Sequence, residues 1–349
     1  MCHYPMLLAL IVNFLHYFYL PNNSDMSHDS GFVFNLFLKR KLPPFYYNPI
    51  RNTVSNKELT SLPWIDIQLK DSSHVLVTDI PDYLDIEVRK EGKNLKMKRV
   101  RQYKGFLCNL SGYENHLDYL KDNFSKKTVR NINAKKRQLE FRHAISYIFY
   151  YGEIDKSHYD FLFEQFYILL QKRFDEKRIH NRYLLEWKKH YEMVYPKIMR
   201  KEASLFVIYR EEEPIAIALD FYLEDISFGY IQVFNSDYKN YYIGDICMVK
   251  RLEWLLANNI SVFDFLMGQT YYKMKWSNLE YFYHHHLFYK HNSVIAFAKM
   301  CFMAGKLELR QFLRDRGLPG KKFSMDKYLF RRMSKKLKNF DWKNPQSSS

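Results

Sequence analysis

The sequence predicts an α+β fold in which helices flank a mixed sheet. The prediction rests on the order of elements in the second half of the 349-residue chain. Two helices are followed by three strands with short turns, then by a helix and two further strands, an order that suits helices packed on one sheet. The predicted bounds, in chain order, are 157–174, 181–199, 205–209, 215–222, 228–234, 245–258, 261–266 and 281–289.

Each of these elements has a local cause. The first helix carries Tyr159, Leu162, Phe163 and Phe166 at a spacing that places them on one helical face. The three strands are rich in β-branched and aromatic residues. The polar turn at 211–214, Glu-Glu-Glu-Pro, predicts a hairpin between the first two of them.

The first half is predicted to contain short strands and then a basic helix. Residues 41–63 are rich in Pro, Asn and Ser and predict a loop, and a short helix is expected at 113–120. The basic helix follows Ser125, a favourable N-cap, and its apolar face carries Ile132 and Leu139. The strands predicted from apolar alternation are 64–69, 74–78, 83–89 and 103–110.

Composition favours an anionic partner. The chain has 54 Lys and Arg against 38 Asp and Glu, which gives a net charge of +16 at pH 7. A phosphorylated cofactor, a nucleic acid and an acidic membrane face all suit this charge. The four cysteines show neither metal-ligand nor disulfide spacing, which predicts a reducing, cytoplasmic compartment.

Both ends of the chain differ from the middle. Residues 6–20 form an apolar run shorter than the ~20 residues of a spanning helix, and no basic residues precede it as in a signal peptide. Since Met26 offers another start, residues 1–25 are expected to be dispensable, the alternative being an interfacial helix. For the basic tail at 293–349, a solvated helix that closes the domain is favoured over contact with a membrane surface or RNA.

The most informative stretch is 262–276, Val-Phe-Asp-Phe-Leu-Met-Gly-Gln-Thr-Tyr-Tyr-Lys-Met-Lys-Trp. Asp264 interrupts an apolar strand, and a buried carboxylate is costly without a partner. Lys273 follows after the flexible Gly268 and is a candidate partner. The pair has two interpretations, a structural ion pair at the strand end or part of an active site.

This stretch belongs to an ordered set of motifs. A basic helix that ends in Leu-Glu (125–140) precedes a Pro-Ile-Ala strand (214–221), an aromatic strand with a Tyr-x-x-x-Gly-type turn (230–245), and then residues 262–276. The set resembles the CelD-like (BioF2-like) acetyltransferase family of the GNAT superfamily, which is related to the FemAB-type peptidyltransferases. The resemblance covers about residues 110–290.

The resemblance implies two tandem GNAT-like domains, of which the first is degenerate. It also divides the chain into segments. These are an apolar segment (1–25), the degenerate N-terminal domain (26–124), a basic linking helix (125–142), the C-terminal GNAT-like domain (143–292) and a basic helical tail (293–349).

The same resemblance implies a cofactor site at the start of the helix predicted at 245–258. In GNAT proteins the pyrophosphate of acyl-CoA lies on a helix N-terminus, where free N–H groups and the helix dipole hold an anion. Here the turn contains Ile243, Gly244 and Asp245. Ile243 stands where the family usually has Pro, and Asp245 suits a helix cap better than it suits a neighbouring pyrophosphate.

Catalytic roles are implied for three residues of the 262–276 stretch. Asp264 could take a proton from the acceptor amine, and Lys273 could stabilise the tetrahedral oxyanion. Tyr272 could protonate a thiolate leaving group, although a core tyrosine is the commoner explanation. The substrate-binding candidates are Trp276 as the floor of a pocket, Asp220 facing a cleft or solvent, and Arg130 and Lys126 as phosphate contacts on the basic helix.

The three consecutive histidines 284–286 are the one other group that resembles a site. On a strand only His284 and His286 would share a face, and two ligands without a third make a metal site unfavourable, so no metal is expected.

The expected function is therefore N-acyl transfer from acetyl-CoA or a longer acyl-CoA to an amine, such as an amino sugar in cell-envelope or polysaccharide synthesis. One alternative is a FemAB-type enzyme that uses aminoacyl-tRNA. The other is a non-catalytic relative that binds an anionic polymer or makes peripheral contact with a membrane.

Overall fold

The chain passes repeatedly between two compact units, so neither unit is continuous in sequence. The first contains Met1–Phe106, Met267–Thr270 and Glu280–Lys321, and the second contains Leu107–Leu266, Tyr271–Leu279 and Lys322–Ser349. The computed structural model describes residues 31–65, 74–89, 95–178, 180–317 and 325–344. The linear segments predicted above do not coincide with these units, and a tandem GNAT duplication stays a prediction.

The first unit is built on a sheet of strand order β3-β11-β5, in which β11 is antiparallel to β3. A smaller sheet has the order β2-β1-β4. Its described elements are α1 (Phe32–Lys39), β1 (Arg51–Asn52), β2 (Lys57–Glu58), β3 (His74–Pro81), β4 (Leu84–Asp85), most of β5 (Leu95–Asn109), β11 (Leu279–Lys290) and α8 (Val294–Asp315).

The second unit contains the mixed sheet and helices that the sequence predicted. Residues 107–109 of β5 are antiparallel to β10, β10 is parallel to β9, and β9, β8, β7 and β6 continue the sheet in antiparallel order. The described elements are α2 (His116–Asn123), α3 (Lys126–Arg142), β6 (Ile145–Tyr150), α4 (Lys156–Lys177), α5 (Trp187–Met199), β7 (Ala203–Arg210), β8 (Glu213–Leu223), β9 (Ile226–Phe234), α6 (Ile243–Ala257), β10 (Val262–Asp264), α7 (Tyr271–Trp276) and α9 (Met325–Leu337).

Local signals at the ends of elements explain several of these bounds. The hydroxyl of Ser125 accepts a hydrogen bond from the N–H of Thr128, which confirms it as the N-cap of α3. Ile132 and Leu139 of the same helix are buried, as its apolar spacing predicted. The 211–214 turn connects β7 and β8 as the predicted hairpin, with Glu211 in the left-handed region at φ 56°.

Other predicted elements are shorter than expected. The strand predicted at 261–266 ends at Asp264, and the strand predicted at 83–89 is reduced to Leu84–Asp85. The helix predicted at 181–199 begins at Trp187, after a single 3-10 turn at Leu184–Glu186. Residues 1–25 and most of the strand predicted at 64–69 lie outside the described residues.

Candidate functional site

The buried end of β10 organises the centre of the candidate site. Asp264 is the last residue of this strand, lies between Phe228 of β9 and Leu107 of β5, and has no exposed surface. Its Oδ1 accepts a hydrogen bond of 2.7 Å from the N–H of Leu266. Leu266 has φ 58°, a backbone conformation that turns the chain out of the sheet. The carboxylate therefore fixes the turn that ends the strand.

Lys273 approaches the same turn from α7. Its Nζ donates to the carbonyl of Leu266 at 3.3 Å, so Leu266 is contacted by Asp264 through its N–H and by Lys273 through its C=O. The pKa of the half-buried Lys273 is lowered to about 8. Burial is the main cause, the negative charge of Asp264 opposes it, and the positive charge of Arg182 adds to it. The two predicted residues thus contact the backbone of the same residue, Leu266, and interact electrostatically.

The first turn of α6 provides backbone donors. Tyr242 precedes this helix in the left-handed region at φ 56° and makes no side-chain cap. Its carbonyl accepts the N–H groups of Asp245 and Ile246, so the N–H groups of Ile243 and Gly244 are the candidate donors of this turn. A Cβ added to Gly244 would lie 3.4 Å from Phe234 and 3.9 Å from Gln232, so the glycine keeps a small space open in front of this turn. Ile243 is 1% exposed and packs in the core, which leaves only its backbone for ligand contact.

Asp245 is not the helix cap that its position predicted. Its Oδ1 accepts hydrogen bonds from the Nζ of Lys275 at 2.6 Å and from the indole Nε1 of Trp276 at 3.0 Å. The ion pair offsets the negative charge beside the α6 turn. Trp276 has no exposed surface and packs against Phe124 with a ring separation of 4.7 Å, so its predicted role as a pocket floor is wrong.

Tyr272 connects α7 to the first turn of α6. Its hydroxyl lies 3.3 Å from the carbonyl of Gly244 and 3.4 Å from Oε1 of Gln232. Burial raises the pKa of Tyr272, so the hydroxyl keeps its proton at neutral pH.

Asp220 faces neither a cleft nor solvent, contrary to the prediction. It is 1% exposed, and its carboxylate accepts hydrogen bonds from Nε of Arg251, at 2.8 Å, and from Nη2 of the same residue. Arg251 also donates to Gln232 at 2.9 Å and lies over the ring of Phe263. This arrangement is a buried bidentate ion pair that leaves Asp220 no surface for a substrate.

A comparison with family models matches residues 126–274 to the acetyltransferase (GNAT) domain. This part of the chain is similar to that domain, and it is called the GNAT-like segment below. The matched segment contains α3, the sheet from β6 to β10, the α6 turn and the Asp264–Lys273 pair. A comparison with curated proteins found no match.

Solved structures similar to this chain include one from Agrobacterium fabrum, the C-terminal domain of a putative lysylphosphatidylglycerol synthetase (13% identity, TM-score 0.39, 58% of this chain and 65% of that one). Others are L-PGS from Bacillus licheniformis (9%, TM-score 0.33, 68% and 74%) and FemX (8%, TM-score 0.41, 61% and 72%). The chain thus spans less than two thirds of the first structure. With TM-scores below 0.5, these likenesses carry no conclusion about the substrate of this chain.

The GNAT-like segment also contains a polar group that local sequence patterns did not indicate. Arg182 donates to the hydroxyl of Tyr183 at 3.0 Å, and its charge acts on Lys273. Tyr183 in turn lies beside Tyr230, whose hydroxyl is 3.0 Å from Nε2 of the buried His190. These residues are far apart in sequence from Lys273, so no spacing could have linked them to it.

A second missed residue, Arg173, lies on α4. Its guanidinium is 5.5 Å from the ring centroid of Phe234, the side chain that limits the space at Gly244. Burial lowers the pKa of this half-buried arginine. Because α4 carries several other charged residues, no local signal set Arg173 apart.

The predicted phosphate contacts on α3 lie at its beginning. Lys126 and Arg130 are both exposed to solvent. Another α3 cation, Lys135, lies beside the α6 turn, with its Nζ 5.8 Å from the ring centroid of Tyr242. A direct role for Lys126 and Arg130 stays a prediction.

The three histidines of β11 are buried in the first unit. A register shift interrupts the strand between His284 and His286, and all three side chains are less than 10% exposed. Burial lowers the pKa of His286 to about 3. Among the described residues, no group of three or more His, Cys, Asp or Glu could hold a metal ion. Their partners, in order, are Arg99, the N–H of Asp79 and the hydroxyl of Tyr46.

Proposed function

We propose that the GNAT-like segment transfers an acyl group from acyl-CoA to an amine, and that the acceptor is an amino sugar used in the synthesis of envelope or surface polysaccharide. The observation that carries the proposal is the position of Lys273. Lys273 is half-buried, and its pKa is lowered to about 8. It lies beside the end of β10, and the residue before it, Tyr272, contacts the first turn of α6.

The donor phosphates would bind at the first turn of α6. The backbone N–H groups of Ile243 and Gly244 and the helix dipole favour an anion there, and Gly244 keeps the approach to the backbone open. Arg173 and Lys135 add positive charge on two sides of the turn. The negative charge of Asp245, which would oppose a pyrophosphate, is offset by Lys275.

Lys273 is better suited to be the base than Asp264. An amine must lose a proton as it attacks the thioester carbon, and a base works best when its pKa is close to the operating pH. At a pKa of about 8 a useful fraction of Lys273 is neutral near pH 7. Asp264 has no exposed surface with which to meet an acceptor, so the proposal makes it a positioning residue that acts through Leu266 and through its charge.

The proposed reaction moves the acyl group from the thioester sulfur to the acceptor nitrogen. The acceptor nitrogen forms a bond to the thioester carbonyl carbon and gives one proton to neutral Lys273, whose ammonium then lies where it can stabilise the oxyanion. The carbon–sulfur bond breaks, and the thiolate takes a proton from the hydroxyl of Tyr272 as that hydroxyl accepts one from the Lys273 ammonium through solvent. The concerted transfer avoids a free tyrosinate, which the raised pKa of Tyr272 disfavours, and it returns both groups to their starting states.

A second candidate donor is aminoacyl-tRNA, and the exposed cations at the start of α3 favour it. Lys126 and Arg130 are solvent-accessible on a helix that carries positive charge along its length, which suits a polyanion. In that reaction Lys273 would again take the proton from the amine, and the bond that breaks would be the carbon–oxygen bond of the aminoacyl ester. Polyanion binding should weaken steeply with salt, whereas binding of one cofactor should weaken less.

A thermal-shift panel tests the donor. The panel contains acetyl-CoA, longer acyl-CoAs and aminoacyl-tRNA, and a ligand at 100 times its Kd stabilises the folded protein by ~2.7 kcal/mol. We expect an acyl-CoA to raise Tm in the natural protein and not in Gly244→Val, and the Tm of this variant without ligand shows whether it is folded. No shift with any acyl-CoA would reject the cofactor assignment, and a shift with tRNA alone would favour the second candidate.

Turnover then tests the base. Lys273→Met should lower kcat by roughly 10²–10⁴-fold without loss of donor binding. Lys250→Met is the matched control, since Lys250 is a lysine of α6 whose ion pair with Glu253 lies on the protein surface. Equal turnover in both variants would remove Lys273 from the chemistry.

A further inference from the structure

Helix α8 exposes an apolar stripe on the face opposite to its core contacts. Its inward face is formed by Ala296, Met300, Ala304 and Leu307, which are buried and pack in the cluster that contains Leu287 of β11. The helix is therefore already anchored in the first unit by one complete face.

The outward stripe consists of large apolar side chains in helical register. Ile295, Phe302 and Leu309 follow one another at intervals of seven residues and are 68%, 70% and 45% exposed. Val294 and Phe312, 84% and 51% exposed, extend the stripe to both ends of the helix. A contiguous exposed apolar surface of this kind marks an interaction site.

Positive charge borders the stripe on one side. Lys299 and Lys306 are also seven residues apart, so they lie in a row beside Ile295 and Phe302. Arg310 continues this row by one further turn, and its charge contributes, after burial, to the lowered pKa of Lys306. Their spacing places the three cations on one side of the helix, with Lys299 exposed and Lys306 and Arg310 half-buried.

We propose that α8 binds in the plane of an anionic phospholipid bilayer, with the apolar stripe in the acyl boundary and the row of Lys299, Lys306 and Arg310 on the lipid phosphates. A helix with one apolar and one basic surface has this behaviour at membrane interfaces. No helix among the described residues combines the length and apolarity needed to cross a bilayer, so the contact is interfacial. A second copy of the chain is disfavoured as the occupant because it would bring together two molecules of net charge +16.

Vesicle flotation of the full chain tests the proposal. The probes are vesicles of phosphatidylcholine alone and vesicles of phosphatidylcholine with phosphatidylglycerol as the anionic lipid. We expect flotation with the anionic vesicles only, and a decrease when salt is raised because the charges are screened. Equal flotation with both kinds of vesicle, or with neither, would overturn the proposal.

Variants assign the binding to α8. Phe302→Gln should weaken binding by roughly 10- to 100-fold, because it removes one large apolar side chain from the acyl boundary. The double variant Lys299→Gln, Lys306→Gln should lose about fivefold per lysine, as each basic residue near an anionic surface contributes about 1 kcal/mol. Phe141→Gln is the matched control: Phe141 is 91% exposed on α3, so its loss should leave binding unchanged. Unchanged binding in both α8 variants would overturn the assignment.

The exposed Cys301 of the same helix gives an independent readout. A polarity-sensitive thiol dye, attached to Cys301 in a Cys2→Ser background, should shift to shorter wavelength on addition of anionic vesicles. Sedimentation measures self-association in the absence of lipid. A concentration-dependent dimer that Phe302→Gln abolishes would show that a second copy covers the stripe and would overturn the membrane proposal.

Discussion

The pKa of Lys273 gives the sharpest test of the candidate site. An ordinary lysine with a pKa of 10.5 is about 0.03% neutral at pH 7, whereas a lysine with a pKa of about 8 is roughly 9% neutral. Burial at the end of β10 therefore raises the neutral fraction of Lys273 about 300-fold at pH 7. That increase is what a base for an attacking amine requires.

The pKa can be measured without knowledge of the substrate. A dilute amine-acylating reagent modifies only neutral amines, so peptide-resolved mass spectrometry of its rate against pH gives a midpoint for Lys273. We expect a midpoint close to 8 in the folded protein and close to 10.5 after unfolding in urea, when burial is lost. The same midpoint in the folded and unfolded protein would refute the argument from burial.

Substitution of Asp264 separates its effect from that of burial. The negative charge of Asp264 favours the ammonium, so Asp264→Asn should move the labelling midpoint of Lys273 below that of the natural protein. A rise in the midpoint, or no change, would show that the two residues do not interact as a pair.

Two further predictions concern stability. Asp220→Asn should lower the free energy of unfolding in urea by about 3–5 kcal/mol, because the Arg251 guanidinium is then buried without its counter-charge. As a control, Glu280→Gln breaks the exposed ion pair with Lys104 and should lower it by at most about 1 kcal/mol. Comparable losses in the two variants would show that burial does not determine the cost. Burial lowers the pKa of His286 from 6.5 to about 3, so the unfolded chain takes up a proton that the folded chain resists as pH falls from 6.5 to 3. Stability should decrease across that window by up to about 5 kcal/mol, less so in His286→Gln, and an identical pH profile in the two proteins would exclude His286 as a cause.

The sequence determined the elements of the second unit because their causes are local. Apolar periodicity fixed the helices and strands, a serine hydroxyl fixed the start of α3, and a polar turn fixed the β7–β8 hairpin. The carboxylate of Asp264 was also recognisable as buried, since it interrupts an apolar strand. The unusual Lys273 could be placed near it because only a short turn separates the two.

Tertiary structure decided which polar groups are neutralised and which remain available for chemistry. The sequence predicted that Asp245 caps a helix and that Asp220 is accessible. In the structure they form ion pairs with Lys275 and Arg251, which are 30 and 31 residues away in sequence. The effect of Arg182 on Lys273 depends in the same way on packing across the sheet. Electrostatic energy depends on distance in space and on burial, and a sequence gives neither for residues that folding brings together from distant positions.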